Sequence, residues 1–493
     1  MVYNPSGNSQ NKSVEVGYVK RSRNFLLYID GLPSARINDI ARGEHEEIAL
    51  ITSLGEDHVE AFLLSSHIPR PGTMFYLQQQ GFSMVAADRL LGRVLNPLGE
   101  PIDGLGPLKG PKKLIQLDTP AWGVSKRVRI NAQFITGFTM IDSMLPIGCG
   151  QRELILGEPR SGKAIFLADI ILNQKYKKPA PVCIYTAIGK SEVEIKHFHN
   201  MLIDLKGMDH TIILAALSYE PAPIIAIAPS IALSLAEQFR DQGKDVLVIL
   251  DDMDKHAKYL REMSLLSERL PGRDSYPGDI FFQQARLTER AGYFSVPSHS
   301  KPVSITLLPT IETNIENFTG LIPTNIMAST DGHILFTASL RLAGHFPAVH
   351  FERSVTRVGK QTQSKLIQDL SERLRMLLAE YAEMVEYSRF GSPINSSALE
   401  KGKLLIELLN QKQHEFIDQP VQIMYLSLLF TRFFLGKDVT FIRKNRAALL
   451  KLFSQEQRFI QLGKKIPTVE LDTFTAELDE DATLQIIIKA CNN

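Results

Sequence analysis

Cysteine is scarce in this chain, with three in 493 residues, at Cys149, Cys183 and Cys491. They lie far apart and form no CxxC pair, which argues against a disulfide framework or a thiolate metal site and favours a reducing compartment. An excess of charge of either sign is also lacking, because 55 Lys and Arg against 54 Asp and Glu leave a formal net charge of +1. No global field therefore recruits nucleic acid or an anionic membrane.

Long uninterrupted apolar runs are missing as well. The longest apolar tract, Thr211 to Phe239, is broken by one acidic residue and three prolines, Glu220, Pro221, Pro223 and Pro229. Such breaks would leave unsatisfied backbone groups in lipid, so we interpret the tract as buried core and expect no direct membrane insertion. The first residues, MVYNPSGNSQNKS, lack the apolar core of a signal peptide, which favours a cytoplasmic location.

Three regions of the chain differ in their pattern of apolar and polar residues, which predicts a multi-domain α/β protein. After a polar N-terminal tail at 1–13, short runs of β-branched and aromatic residues separated by turn residues predict a β-barrel over 14–89. Over 90–362, apolar runs such as Val246 to Leu250 alternate with helical periodicity, which predicts a parallel sheet covered by helices. Over 363–493, an apolar stripe from Leu366 to Val385 and further helical stretches predict a C-terminal helical bundle.

One strand-to-helix turn in the central region has the pattern of a phosphate-binding P-loop. The string GEPRSGKA follows the apolar run Leu154 to Leu156 and precedes a helical segment, Ile165 to Asn173. Its glycines allow successive backbone N–H groups to wrap phosphate oxygens, and Lys163 would reach the β and γ phosphates. A turn without function is the weaker alternative, given the strand and helix on either side. The predicted nucleotide-binding residues are therefore Gly157, Glu158, Pro159, Arg160, Ser161, Gly162, Lys163 and Ala164.

The magnesium part of this pattern is incomplete. Ala164 stands where Ser or Thr would give a hydroxyl to Mg²⁺. Five apolar residues lead into Asp251 and Asp252, and Asp251, the first acid after the strand, is the better candidate to hold Mg²⁺ through water. The alternative is that these two acids only cap a helix. We expect the pocket to bind ATP or ADP with a reduced Mg²⁺ dependence.

A lysine stands at the position where ATP hydrolysis would need a base. The strand Val182 to Tyr185 leads into Lys190, where a catalytic chain would offer Glu. A charged lysine cannot accept the proton from water. Glu192 and Glu194 lie nearby, but a shift of two residues normally points a side chain elsewhere. This argues against a self-sufficient ATPase, and whether the isolated chain hydrolyses ATP stays open.

These features together resemble the α subunit of F-type ATP synthases. Similar strings are LLGRVLNPLGEPIDG (90–104), IDSMLPIGCGQRELILGEPRSGK (141–163), DDMDKHAKYLREMSLL (251–266), LPGRDSYPGDIFF (270–282), IPTN (322–325) and SVTRVGKQTQ (354–363). PGRDSYPGD and IPTN are typical of α rather than of the catalytic β subunit. The resemblance covers nearly the whole chain, and the central domain is accordingly expected to be RecA-like.

The resemblance implies a non-catalytic subunit of a rotary ATP synthase that moves protons or sodium ions. In this family α and β alternate in a ring of six around the central-stalk γ subunit, on the cytoplasmic face of the bacterial inner membrane. Arg357, in SVTRVG, matches the arginine that α sends into the neighbouring β catalytic site. A guanidinium suits that role, because its fixed charge and forked donors stabilise a transferring phosphoryl group. Gln411 and Gln413 match the positions that flank the adenine of the non-catalytic site.

The chain departs from the family at several of these positions. Ala164, Lys190 and Phe346 stand where the family usually has Thr or Ser, Gln and Arg. These departures imply a drifted pocket, in a divergent or alternative rotary ATPase, that binds nucleotide weakly or holds it without exchange. About a dozen polar residues precede the barrel where the family carries a helix that docks the peripheral stalk, so contact with the δ subunit stays open.

Three other functions remain open from the residues alone. A self-sufficient hexameric export-type ATPase would share the barrel and P-loop but would need its own catalytic carboxylate. A ring-shaped RNA translocase would need a basic, aromatic surface, and the barrel offers only Lys20, Arg21 and Arg23 near Phe25 and Tyr28. A purely structural ring subunit without nucleotide is opposed only by the retained Lys163 and glycines.

Overall fold

The computed structural model describes residues 15–78, 82–268, 270–313, 318–389 and 396–492. The polar tail predicted at 1–13 lies outside the described residues. In chain order, a β-barrel is followed by an α/β domain and then by a set of helices. The predicted order of barrel, central α/β domain and C-terminal helices is confirmed.

Six short strands close into a barrel near the N-terminus. They are β1 (Val16–Arg23), β2 (Leu26–Asp30), β3 (Ile40–Gly43), β4 (Ile48–Leu54), β5 (Val59–Leu63) and β6 (Met74–Gln78). The strand order is β1-β2-β5-β4-β3-β6, and β6 pairs antiparallel with β1 to complete the circle. Leu27, Ile29 and Phe75 fill the interior, so every strand edge is paired and one face of each strand is buried.

The next strands lie outside the barrel. β7 (Phe82–Val85) pairs antiparallel with β9 (Lys112–Ile115), whereas β8 (Val94–Leu95) joins the central sheet. β7 falls within the range 14–89 predicted for the barrel, but the barrel closes at β6. Once β1 and β6 are paired, the closed sheet offers no free edge to a seventh strand, so Phe82 and Met84 pack against the central domain instead.

The central domain is built on a mostly parallel nine-stranded sheet, in which eight strands follow the order β19-β18-β12-β17-β15-β13-β14-β8 and the ninth, β16, pairs antiparallel with β17. Its strands are β12 (Leu154–Gly157), β13 (Val182–Lys190), β14 (Thr211–Leu217), β15 (Val246–Asp251), β16 (Gly292–Phe294), β17 (Val303–Glu312), β18 (Gly332–Phe336) and β19 (Val355–Thr356), while β10 (Gln133–Phe134) and β11 (Ile147–Gly148) pair separately. Four of these strands, β12, β13, β15 and β17, run parallel to one another. Their carboxyl ends therefore lie at the same edge of the sheet, where ligands of such sheets bind.

Eight helices accompany this sheet among the described residues. They are α1 (Thr139–Met144), α2 (Lys163–Gln174), α3 (Glu192–Asp204), α4 (Ala222–Asp241), α5 (Met253–Leu266), α6 (Ile280–Glu289), α7 (Leu321–Ser329) and α8 (Ala338–Leu342). α4 is long and apolar enough to cross a membrane by length and composition, but 72% of that apolar window is buried inside the protein. It packs on β13, β14 and β15, in agreement with the interpretation of this tract as core.

Seven described helices form the C-terminal part. They are α9 (Lys365–Arg389), α10 (Ser396–Leu409), α11 (Gln419–Ser427), α12 (Val439–Gln455), α13 (Gln457–Lys465), α14 (Leu471–Asp479) and α15 (Asp481–Asn492). Their apolar residues form one continuous core with one side of the central domain, so that Leu370 and Leu408 belong to the same cluster as Phe166 and Phe336. The barrel has a separate core, which meets α4 and α5 at its margin.

Candidate nucleotide-binding site

The P-loop connects buried β12 to α2 through a turn that two glycines make possible. A Cβ on Gly157 would lie 2.6 Å from the Cβ of Phe336 and 2.7 Å from its carbonyl oxygen, so a larger residue does not fit. Gly162 has φ of 92°, in the left-handed region that L side chains rarely adopt. The loop therefore places its backbone amides at the start of α2, where the helix dipole favours an anion.

Two side chains of the loop are used to fix its shape. The carboxylate of Glu158 accepts a hydrogen bond from the Ala338 backbone N–H at 2.7 Å, and the buried Ser161 hydroxyl donates to the Glu158 carbonyl at 2.7 Å. Pro159 and Arg160 are exposed at the tip. Of the predicted nucleotide-binding residues, Glu158 and Ser161 thus form hydrogen bonds within the chain that fix the loop, while Arg160 is exposed and could contact a ligand.

Lys163 lies at the base of the loop. Its ammonium donates to the Gly157 carbonyl and to the Ile311 carbonyl, the latter at 3.3 Å, and lies 3.9 Å from the Glu312 carboxylate. Burial lowers the pKa of Lys163, and nearby carboxylates oppose that effect. The lysine is therefore positioned inside the loop, where two backbone carbonyls hold its ammonium.

Asp251 and Lys190 form an ion pair at the ends of neighbouring strands. Lys190 Nζ lies 3.1 Å from Asp251 Oδ1, and the same carboxylate accepts hydrogen bonds from the hydroxyls of Tyr185 and Thr310, each at 2.7 Å. Burial raises the pKa of Asp251, but Lys190 and the two hydroxyls outweigh it and the pKa lies below its ordinary value. The carboxylate is therefore ionised and both of its oxygens are engaged.

Asp252 has a different task. Its carboxylate accepts a hydrogen bond from the Asp254 backbone N–H at 2.8 Å and so caps the start of α5. Burial and the charge of Asp251 raise its pKa to about 6. Helix capping, considered from the sequence for both acids, describes Asp252 but not Asp251.

These residues do not fit a magnesium site of the usual P-loop kind. Ala164 supplies no oxygen, and the Asp251 carboxylate is paired with a cation and two hydroxyl donors. Mg²⁺ requires near-octahedral oxygen ligands, several of them waters held by carboxylates. Among the described residues, no group of three or more His, Cys, Asp or Glu side chains could hold a metal instead.

The two glutamines predicted to contact adenine, Gln411 and Gln413, differ in whether their side-chain amides are already hydrogen-bonded within the chain. Gln411 is buried, and its amide accepts from the Thr139 N–H at 2.7 Å and donates to the carbonyls of Gly137 and Glu415, each at 2.8 Å. Its side chain is thus fully used as scaffold. Gln413, in contrast, is exposed. Only Gln413 of the two has an amide available to a ligand without breaking internal hydrogen bonds.

A residue that the sequence analysis did not identify, Arg341 on α8, lies beside the P-loop. Its guanidinium lies 5.2 Å from the centre of the Phe346 ring, and its Cδ would be 3.6 Å from a Cβ on Gly162. A cation stacked on an aromatic face is attracted by the ring quadrupole. A positive charge therefore reaches the pocket beside Phe346, where the resemblance implies an arginine.

Arg357 follows β19 at the edge of the sheet. Its backbone N–H donates to the Asp331 carbonyl at 3.0 Å, and Asp331 itself binds Arg152 through both carboxylate oxygens at 3.0 and 2.7 Å. Within the part of the chain that the structure describes, the Arg357 guanidinium is exposed and has no hydrogen-bond or ion-pair partner. Its backbone is fixed, and its guanidinium acts on the buried Glu153 and on His333 only through space, without a direct contact.

Comparison with known proteins places this site in a family. The model of the ATP synthase alpha/beta family, nucleotide-binding domain, matches residues 137–356, and that of the ATP synthase alpha/beta chain, C terminal domain, matches 363–487. A protein named ATP synthase subunit alpha from Clostridium acetobutylicum is 36% identical over 97% of this chain and 94% of its own length. The chain belongs to the ATP synthase alpha subunit family. Relatives of the same name from Mycoplasmoides gallisepticum (35% identical; 96% of this chain, 90% of that protein) and Syntrophomonas wolfei (39%; 84% and 82%) agree.

Membership of the ATP synthase alpha subunit family confirms the resemblance inferred from the motifs. An alpha subunit acts within the rotary ATP synthase complex. Of the three basic barrel residues that an RNA translocase would need, Arg21 stacks 3.9 Å above the Tyr28 ring and Arg23 pairs with Glu268, while Lys20 is exposed.

Proposed function

We propose that the chain is a non-catalytic α subunit that lends Arg357 to the active site of a neighbouring β subunit. The same chain binds adenine nucleotide in its drifted P-loop, residues 157–164. The observation that carries the proposal is the exposed, unpartnered guanidinium of Arg357 on an anchored backbone. An arginine supplied across an interface stabilises the charge of phosphoryl transfer, and it acts best when its base is rigid.

The surroundings of Lys190 support the non-catalytic assignment. The two carboxylates nearest in sequence are both occupied at the start of α3. Glu194 accepts hydrogen bonds from the Ser191 N–H at 2.9 Å and its hydroxyl at 2.7 Å, and Glu192 pairs with Lys196. A general base must reach the attacking water with a free lone pair. Lys190 itself is bound to Asp251, and both glutamates lie at the start of α3, so neither takes the place of the glutamate that a catalytic chain would have at position 190.

Family membership supports a proposal for the wider assembly. In this proposal the chain alternates with catalytic β subunits in a ring of six around a γ subunit, peripheral to the cytoplasmic face of a bacterial membrane. The complex couples ATP synthesis or hydrolysis to movement of protons or sodium ions. Support comes from the relatives named ATP synthase subunit alpha, which match nearly the full length of the chain. Contact with a δ subunit would involve the N-terminal tail, outside the described residues.

The test is ATPase activity of the purified complex of this chain with its β partner. Arg357→Ala should lower turnover by about 10³-fold or more, because a trans arginine is worth 10³ to 10⁵ in phosphoryl transfer. Lys163→Ala should leave most of the turnover, because the nucleotide in this chain is not the one hydrolysed. Arg353→Ala is the matched control, since Arg353 is an exposed arginine four residues away.

Other outcomes identify the rival functions. If the isolated chain hydrolyses ATP and Lys163→Ala stops it, the chain is a self-sufficient ATPase. If Arg357→Ala and Arg353→Ala have the same small effect, Arg357 does not reach the β site. If nucleotide never binds while Arg357→Ala still abolishes turnover, the chain lends its arginine but has lost its own ligand.

A further inference from the structure

We infer that the ammonium of Lys190, fixed by Asp251, takes the place of magnesium in this pocket, so that the chain binds ATP or ADP without a metal ion. The inference rests on the proposed nucleotide site and defines its ligand as the metal-free nucleotide. It goes beyond a weakened Mg²⁺ dependence, because it assigns the compensating charge to a named side chain.

This chain offers neither of the two side-chain groups that would hold a magnesium ion. Ala164 has no hydroxyl at the position after Lys163. Asp251 accepts hydrogen bonds from Tyr185 and Thr310 and pairs with Lys190. Asp252 is also engaged, by the Asp254 N–H at 2.8 Å and the Glu312 N–H at 3.3 Å. Water-mediated binding of Mg²⁺ needs carboxylate oxygens that can accept from its hydration shell, and each oxygen of these two carboxylates already accepts a hydrogen bond from the protein.

The local backbone directs the Lys190 side chain towards Asp251. β13 and β15 are adjacent and parallel, with Ala187 in register with Asp251. Between Ile188 and Lys190 the pairing of β13 with β14 shifts register, at Gly189, whose φ of 60° suits glycine. Such an irregularity re-aims the next side chain, and Lys190 folds back so that its side chain is only 14% exposed. The pair is thus built into the strand end.

Charged side chains also surround the P-loop. The ammonium of Lys190 is paired with the Asp251 carboxylate at 3.1 Å and therefore keeps its charge although it is largely buried. Lys163 is electrostatically coupled to Lys190 and to both acids, which places the two lysines in one cluster. Lys190 thus neutralises Asp251, the carboxylate that would attract a divalent ion, while Lys163 and Arg341 supply positive charge for the phosphates of a nucleotide without its metal.

The experiment is photolabelling of the complex with 2-azido-ATP, followed by mapping of labelled peptides to this chain or to its β partner. Labelling of this chain should be equal, within about twofold, in excess EDTA and in millimolar Mg²⁺, while labelling of β requires the metal. Lys190→Gln should lower labelling of this chain in EDTA by about tenfold, and the double variant Ala164→Thr, Lys190→Gln should regain it only with Mg²⁺.

Lys196→Gln is the control, because Lys196 is an exposed lysine on α3 that pairs only with Glu192; its labelling should match wild type. If labelling of this chain requires Mg²⁺ as β does, the inference fails while nucleotide binding stands. If Lys190→Gln labels like wild type in EDTA, Lys190 does not replace the ion. If this chain is labelled in neither condition, both the inference and its nucleotide site fail, and the Arg357 test remains separate.

Discussion

His256 is a buried histidine whose environment opposes a charge. It lies on α5, its Nε2 is 3.0 Å from the Ala226 carbonyl, and its Nδ1 has no partner among the described residues. Burial lowers its pKa from 6.5 to about 4. The ring therefore stays neutral in the folded protein at pH values where the unfolded chain would bind a proton.

This makes the free energy of unfolding dependent on pH. Between pH 6.5 and 4 the unfolded state binds more protons, so stability falls as the pH falls, by up to about 3 kcal/mol from this group. His256→Gln, which can still donate to the Ala226 carbonyl, should flatten that part of the profile. The check is urea unfolding at several pH values, with exposed His197→Gln as control. A slope unchanged by His256→Gln would show that other groups set the acid limit.

The site residues differ in how far the sequence could predict them. The P-loop could be predicted because its pattern is local: a strand, two glycines and a lysine lie within a few positions of one another. Lys190 and Asp251 were each singled out, but their pairing was not, because it depends on β13 and β15 being neighbours. Arg341 gave no signal, since its place beside Gly162 is set by α8 from a distant part of the chain. The scaffold role of Gln411 was hidden for the same reason.

At the scale of elements, α9 and α10 approach closely at Gly402. A Cβ there would lie 2.3 Å from the Tyr381 ring and 2.6 Å from the Tyr381 Cβ. Contact with the base of a side chain cannot be relieved by a small rotation of its tip. The glycine is therefore needed for the packing of the two helices, although glycine weakens a helix by itself.

Gly402→Ala should destabilise the protein by about 1 to 3 kcal/mol, the usual cost of overpacking, despite the roughly 1 kcal/mol gain expected for alanine in a helix. Combined with Tyr381→Ala, the same change should cost less than the sum of the two single changes. Thermal unfolding measures both effects. Gly123→Ala, where nothing lies within 4 Å of the new Cβ, is the control, and equal effects at both glycines would contradict the close approach.

Elements were predictable where period and turn chemistry agree. The barrel, the apolar strands and the stripe on α9 follow from alternation or from spacing of three and four. The partner of β7 did not, because a short alternating strand has the same pattern in a barrel as in a two-stranded sheet with β9. Closure of the barrel is a property of all six strands together, and no local string records it.

At the scale of the molecule, two of the three parts share one core. Leu408 on α10 belongs to the cluster that also includes Phe166 and Phe336 under the P-loop, whereas Leu27 belongs to the separate core of the barrel. Both leucines are fully buried. The C-terminal helices and the nucleotide pocket are therefore expected to lose stability together, and the barrel by itself.

Leu408→Ala should lower hydrogen-exchange protection in both α10 and β12 by about 2 to 5 kcal/mol, the usual cost of such a cavity. Leu27→Ala should lower protection by a similar amount in β2 and β5 but leave β12 unchanged. Mass spectrometry of exchanged peptides gives both profiles from the same samples. Loss of protection confined to α10 in Leu408→Ala would mean that the shared core does not couple the two parts.

The order of strands in the central sheet also sets the order in which the chain can fold during synthesis. The barrel is complete once β6 has left the ribosome. β12, in contrast, lies between β17 and β18, which begin about 150 and about 180 residues later in the chain, and such distant pairings form slowly. The P-loop strand therefore lacks both of its sheet neighbours while most of the domain is translated, an interval in which its apolar residues are exposed to aggregation.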